Sequence, residues 1–170
     1  MIKNINFRIF DIMRILHRKT NKLHTAVIEI VEGEDWSLIK ESGEFDFNWD
    51  KERKYVLYKL RLEASPRILG LVAVKDFPTE ARLHIPLIEV SRTNIGKNKA
   101  YDFIAGCMIA FVCKMAFAKK YEGFVSLLPK TEIIGLYINK YGFNWMGQLL
   151  FVAFDNAENL VKKYLFDEHK

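Results

Sequence analysis

The sequence predicts one α/β (α+β) domain, a mixed and mostly antiparallel sheet with helices on both faces and a parallel strand pair at its centre. Three observations carry that reading. Residues 68–74 and 82–90 are apolar runs joined by Lys75-Asp76-Phe77-Pro78-Thr79-Glu80, a segment suited to a turn, so they form an antiparallel hairpin. Residues 103–117 are apolar on every side, with Lys114 as their sole charge, and such a helix belongs in the middle of a domain. The short apolar run 124–128 follows it. Strand, helix and strand in that order make the outer strands parallel, with a right-handed crossover.

The elements follow in chain order. Residues 7–17 carry apolar side chains at Phe7, Ile9, Phe10, Ile12, Met13, Ile15 and Leu16, which admits a strand running into a helix. Residues 25–31 are rich in β-branched side chains, and 32–50 are acidic and aromatic, with Trp36, Phe45, Phe47 and Trp49, and read as loop-rich. Residues 55–62 alternate apolar and charged side chains, as a strand with one wet face does. After the hairpin, 91–99 is a polar loop with Gly96, and the buried helix begins near Tyr101 or Asp102. It closes in Lys119-Lys120-Tyr121-Glu122-Gly123, cations at its carbonyl end and Gly123 as the cap. Pro129 ends the next strand, Thr131 is placed to cap a helix running to Lys140, and Tyr141-Gly142-Phe143 closes it. A strand near 148–154, a turn at Asp155-Asn156 and a helix over 157–165 complete the pattern.

Composition bounds the function. With 170 residues, 50% apolar and 14% aromatic, the chain reads as a single domain over 1–170 with a packed core. A formal charge of +5 biases it mildly toward anionic partners. That charge suits a phosphate-bearing cofactor, nonspecific nucleic-acid contact, or simply a solvated basic surface. No aromatic-rich basic strip of the kind single-strand binders use is visible, so nucleic acid is not favoured. Cys107 and Cys113 fall on different helix faces and imply neither a disulfide framework nor a metal set. The apolar run 103–117 is shorter than the roughly 20 residues that span a bilayer. Met1-Ile2-Lys3-Asn4-Ile5-Asn6 scatters charge through its apolar residues, unlike a secretion signal, so the expected location is cytoplasmic.

Hairpin, polar loop, buried helix, parallel strand, capped helix ending Leu136-Tyr137-Ile138-Asn139-Lys140-Tyr141-Gly142-Phe143, then a final strand: over 55–154 this resembles the GNAT superfamily of N-acetyltransferases. That ending, Leu-Tyr followed after four residues by Gly-Phe, is the most specific part of the match. Glu89-Val90-Ser91, Asn94-Ile95-Gly96-Lys97-Asn98-Lys99 and Ala105-Gly106-Cys107 look like a bacterial subgroup of it. The resemblance implies a central parallel pair splayed to admit the pantetheine arm of acetyl-CoA, with backbone amides at the helix start holding the pyrophosphate between Val90 and Gly106. The family's loop pattern is Gln or Arg, two residues, Gly, one residue, Gly or Ala. With Ala105 as its last small residue, Ala100 and Phe103 stand where the pattern has Gln or Arg and Gly.

Residue by residue, the resemblance implies Val90, Gly96, Lys97, Lys99, Ala105 and Gly106 as coenzyme A contacts. Lys97 and Lys99 supply point charge in place of the missing arginine and Gly96 lets the backbone turn toward phosphate, unless both lysines are simply solvated. Tyr137 corresponds to the tyrosine that protonates the departing thiolate, the alternative being a tyrosine packed on the sheet. Glu89 and His84 are alternative general bases, and strand alternation sets them on opposite faces. The acidic aromatic segment either receives a cationic amine or anchors a loop onto the core. The implied activity is acetyl transfer from acetyl-CoA to a small-molecule or protein amine, with no membrane partner and a homodimer left open. The rival reading is a catalytically inactive module that keeps the GNAT fold.

Overall fold

A computed structural model describes residues 9–165. The reading of Met1 to Asn6, and the start of the first strand at Phe7, lie outside them. Two long strands open the described chain, β1 (Ile9–His17) and β2 (Lys22–Ile30), paired antiparallel. β1 stays extended to its end instead of turning into a helix. Its apolar side chains alternate toward the core, with Met13 and Ile15 fully buried, which is a strand period.

The segment read as loop contains a short helix, α1 (Asp35–Glu41), and a 3-10 turn at Trp49–Glu52. Tertiary contacts fix α1 rather than local signals. Asp35 accepts from the Glu32 amide at 2.9 Å and from Lys59 at 2.5 Å, while Ile39 and Trp49 pack on Leu57, Leu71 and Ala73. The wet face expected for β3 (Val56–Leu62) is therefore covered. Lys59 and Arg61 lie under that cover, paired with Asp35 and Glu29.

β4 (Ile68–Phe77) is the central strand, with side chains in the clusters on both faces of the sheet. It runs through Lys75 to Phe77, so the turn is only Pro78–Glu80. The return is broken in two at Pro86-Leu87, giving β5 (Arg82–Ile85) and β6 (Ile88–Val90). β7 (Tyr101–Asp102), a two-residue strand on β1, precedes the buried helix α2 (Ile104–Ala118). Lys120, at φ 63°, takes the left-handed position after α2, and the Tyr121 amide reaches Ala116 O at 2.8 Å. That closes a Schellman turn; Gly123, read as the cap, lies beyond it.

β8 (Val125–Leu127) is parallel to β5, as expected. Thr131 makes no side-chain cap; the chain takes a 3-10 turn at Thr131–Ile133 and then enters α3 (Ile134–Tyr141), closed at Gly142 with φ 75°. β9 (Asn144–Met146) and β10 (Leu149–Val152) form a hairpin, and α4 (Phe154–Tyr164) starts ahead of the expected turn. Asp155 and Asn156, read as turn residues, serve the helix start instead. Asp155 stands in the positive first turn, and Asn156 Nδ2 donates to Gly142 O at 3.1 Å.

The 10-stranded sheet has the order β7-β1-β2-β3-β4-β5-β8-β10-β9, with β6 also on β4. Among the described pairs only β5 with β8 is parallel. α2 and α4 pack over one face and α1 covers part of the other. No described helix is long and apolar enough to cross a membrane.

Candidate active-site cleft

The cleft begins where β5 and β8 part. Their last pair is Ile85 with Leu127, and prolines follow on both chains, Pro86 and Pro129. A proline has no N–H to donate to a ladder, so pairing stops there. β6 turns back onto β4, with the Ala73 amide on Leu87 O at 2.9 Å and Val72 opposite Ile88. A cleft of about 520 Å³ opens between β6, the start of α2 and α3.

One wall is the 91–103 loop. Asn94, only 5% exposed, ties it together by donating to Ser91 Oγ at 2.7 Å and accepting from the Tyr101 amide at 2.9 Å. Phe103 is at φ 81°, the left-handed conformation in which side chains are uncommon. The backbone thus follows a glycine-type path, with the Phe103 ring stacked edge-on to Tyr164, centroids 6.0 Å apart. The first amides of a helix have no acceptor in their own turn, and Ile104 and Ala105, in the first turn of α2, line the cleft.

Asp102 stands at this helix end. Its Oδ1 accepts from the Phe103 amide at 2.9 Å, and its Oδ2 pairs with Arg18 at 3.0 Å. Burial pushes its carboxyl up, but the Phe103 amide and the charges of Lys99, Arg18 and Lys140 outweigh that and hold it below the usual carboxylate range.

The opposite wall is α3. Tyr137 and Tyr141 are 6% and 5% exposed and both line the cleft. Neither hydroxyl has a hydrogen-bond partner among the described residues, and no fully buried side-chain N or O among them is orphaned, so each hydroxyl is at least partly accessible. Burial pushes the Tyr137 phenol up to about 12. It also raises Tyr141.

Glu89 and His84 are separated, but by the break between β5 and β6 rather than by alternation along one strand. Glu89 lines the cleft and organises its acidic rim, with Oε2 accepting from the Asp46 amide at 2.7 Å and Oε1 from the Phe47 amide at 3.3 Å and Trp49 Nε1 at 2.8 Å. His84 lies outside the lining, with Nδ1 2.9 Å from Ser126 Oγ. Burial, with Arg82 and Lys75 nearby, lowers its pKa to about 4.

Of the residues expected to contact a cofactor, Val90, Gly96, Lys99 and Ala105 line the cleft. Lys97 and Gly106 do not. Gly106 is where Tyr164 crosses α2, and an added Cβ would stand 2.4 Å from the Tyr164 ring, so helix packing accounts for this glycine. Gly96, at φ 82°, has open space around it. The aromatic segment does anchor onto the core through buried Trp49. Its ring faces are already taken, with Arg53 3.8 Å over Trp36 and Lys130 2.9 Å over Phe47. Lys140, Asn94 and Asp102 belong to the cleft and escaped the sequence reading. Lys140 lies inside the very helix ending that carried the resemblance.

No family model matches the sequence, and no curated protein matches it. Solved structures do. A probable acetyltransferase of the GNAT family from Chromobacterium violaceum superposes with a TM-score of 0.55 at 10% identity, over 75% of this chain and 82% of that one. A cAMP-binding acyltransferase from Mycobacterium smegmatis gives 0.50 at 9% identity over 93% of this chain; the chain spans 51% of that protein. The mixed sheet, its single described parallel pair and the buried crossover helix agree with these likenesses: this chain has a GNAT-like fold.

Proposed function

We propose that the protein is an acyltransferase that moves an acetyl group from acetyl-CoA to an amine, the cleft between β6 and α3 being its active site. The observation that carries this reading is a pair of tyrosines, Tyr137 and Tyr141, each over nine-tenths buried with a hydroxyl that has no partner among the described residues, lining the cleft together with the first residues of α2. The residues fit coenzyme A in part. Ile104 and Ala105 offer amides to phosphate, Lys99 offers charge, and the parting of β5 from β8 leaves room for a narrow arm. When bound, the cofactor supplies an activated acyl thioester.

The chain's own groups then have distinct tasks. Tyr137 Oη carries the proton that the departing sulfur needs. With its pKa near 12 the phenol is protonated across the working range; after donating it is left as a phenolate, which takes a proton back from solvent before the next turnover. Glu89 accepts three N–H groups. A carboxylate has about four acceptor positions, so one stays open to orient an incoming amine or a water that takes its proton. His84, outside the lining, has no part in this reading.

One observation favours the inactive-module alternative, namely that a side chain and a carboxylate, Phe103 and Asp102, stand at the helix start where phosphate would settle. Turnover separates the two. Thiol release from acetyl-CoA, with candidate amines or water as acceptor, should fall by roughly 10²–10⁴-fold in Tyr137→Phe, while the affinity for acetyl-CoA stays near wild type. Equal turnover in a folded Tyr137→Phe rejects the assignment, and no turnover in wild type with tight cofactor binding favours the module.

A further inference from the structure

We propose that Asp102 is an internal anion that competes with ligand phosphate at the first turn of α2, and that Lys140 and Lys99 are the cations that phosphate takes over on displacing it. This deepens the acyl-CoA reading of the cleft and rests on it for the ligand.

The charges in the cleft are unevenly satisfied. Glu44 is held by Arg67 at 2.8 Å and the Thr93 amide at 3.0 Å, Asp46 by Arg92, and Glu89 by its three donors. Lys140, in contrast, leans on the Tyr141 ring at 5.7 Å and acts on Asp102 through charge alone. Lys99 is only loosely paired, 3.5 Å from Asp102 Oδ1. Both lysines line the cleft.

Asp102 thus has Arg18, Lys99, Lys140 and a helix-start amide around it, the surroundings a phosphate would choose. Its side chain is 17% exposed, so a ligand can reach it. The site is more than a helix end, because Tyr137 and Tyr141, each over nine-tenths buried with a hydroxyl that has no partner among the described residues, line the same cleft. A second anion arriving beside Asp102 meets repulsion that water screens only partly at contact distance.

Calorimetric titration of coenzyme A, inorganic pyrophosphate and uncharged pantetheine into wild type, Asp102→Asn and Lys140→Ala tests this. Asp102→Asn should bind coenzyme A and pyrophosphate about tenfold more tightly at low salt, less so at high salt, with pantetheine unchanged. Lys140→Ala should weaken both phosphate ligands several-fold. Lys162→Ala, a loss of the same charge on α4 beside Glu158, should leave them alone. Melting curves verify folding, and Asp102→Ala repeats the measurement should Asp102→Asn be unstable. Equal or weaker phosphate binding in folded Asp102 variants overturns the proposal while leaving the acyl-CoA reading intact. The expected pattern with pyrophosphate but no binding of coenzyme A upholds the anion site and removes the acyl-CoA reading. Binding of no probe by any variant removes both.

Discussion

Single side chains in this protein are tuned by what surrounds them more than by their type. His84 is the clearest case. Arg82 donates to Ser126 Oγ at 2.6 Å, which leaves the Ser126 hydrogen to donate to His84 Nδ1 and favours the neutral ring. Burial and the flanking cations lower its pKa from 6.5 to about 4. A depressed folded-state pKa contributes stability that is full above the unfolded value and is lost as pH falls. The window is therefore pH 6.5 down to about 4. In denaturant melts, His84→Gln should lose less stability than wild type across that window, by roughly 1–3 kcal/mol, and the two should run parallel above pH 7. Identical acid profiles would show that the ring is not held neutral. Tyr137 shifts the opposite way, so its proton should impose no alkaline limb on turnover below about pH 11. Cys107, pushed up to about 12 by burial, is no thiolate at neutral pH.

Among elements, those with strong periodicity or helix-end chemistry are legible in the sequence, and those fixed by distant partners are not. α2 announces itself because every face is apolar, and α3 through Tyr141-Gly142-Phe143. β7 pairs for only two residues and α1 lasts only seven, and each depends on neighbours remote in sequence, β1 for one and Lys59 for the other. The end of α2 misleads for a different reason. Glycine is the usual left-handed residue after a helix, yet here Lys120 occupies that position, exposed and at φ 63°. Lys120→Gly removes the Cβ crowding of that conformation and should stabilise the protein by about 0.5–1 kcal/mol. A lower melting temperature would mean that the lysine stem makes contacts worth more than the strain.

Taken whole, the molecule is a sheet opened at one point. Pro86 and Pro129 are both plain in the sequence, but that both follow the last pair of the parallel strands emerges only when Ile85 meets Leu127. The order of elements over 55–154 was readable, and with it the approximate place of the cleft. Its charge balance was not, because pairs such as Arg18 with Asp102 and Arg67 with Glu44 join residues far apart in the chain. Those pairs leave the acidic rim largely satisfied and Lys140 of α3 available, which makes a phosphate-bearing ligand the better electrostatic match than a bare amine.

The most direct test of that account is a calorimetric titration of acetyl-CoA into the wild-type protein, paired with a melting curve in the same ligand. Binding to the native state alone stabilises by mass action, about 2.7 kcal/mol at a hundredfold excess over Kd, or several degrees for a domain of this size. The account predicts a saturable one-site heat and that rise in melting temperature, with both weakened by salt. Absence of heat and an unchanged melting temperature at millimolar acetyl-CoA would contradict it.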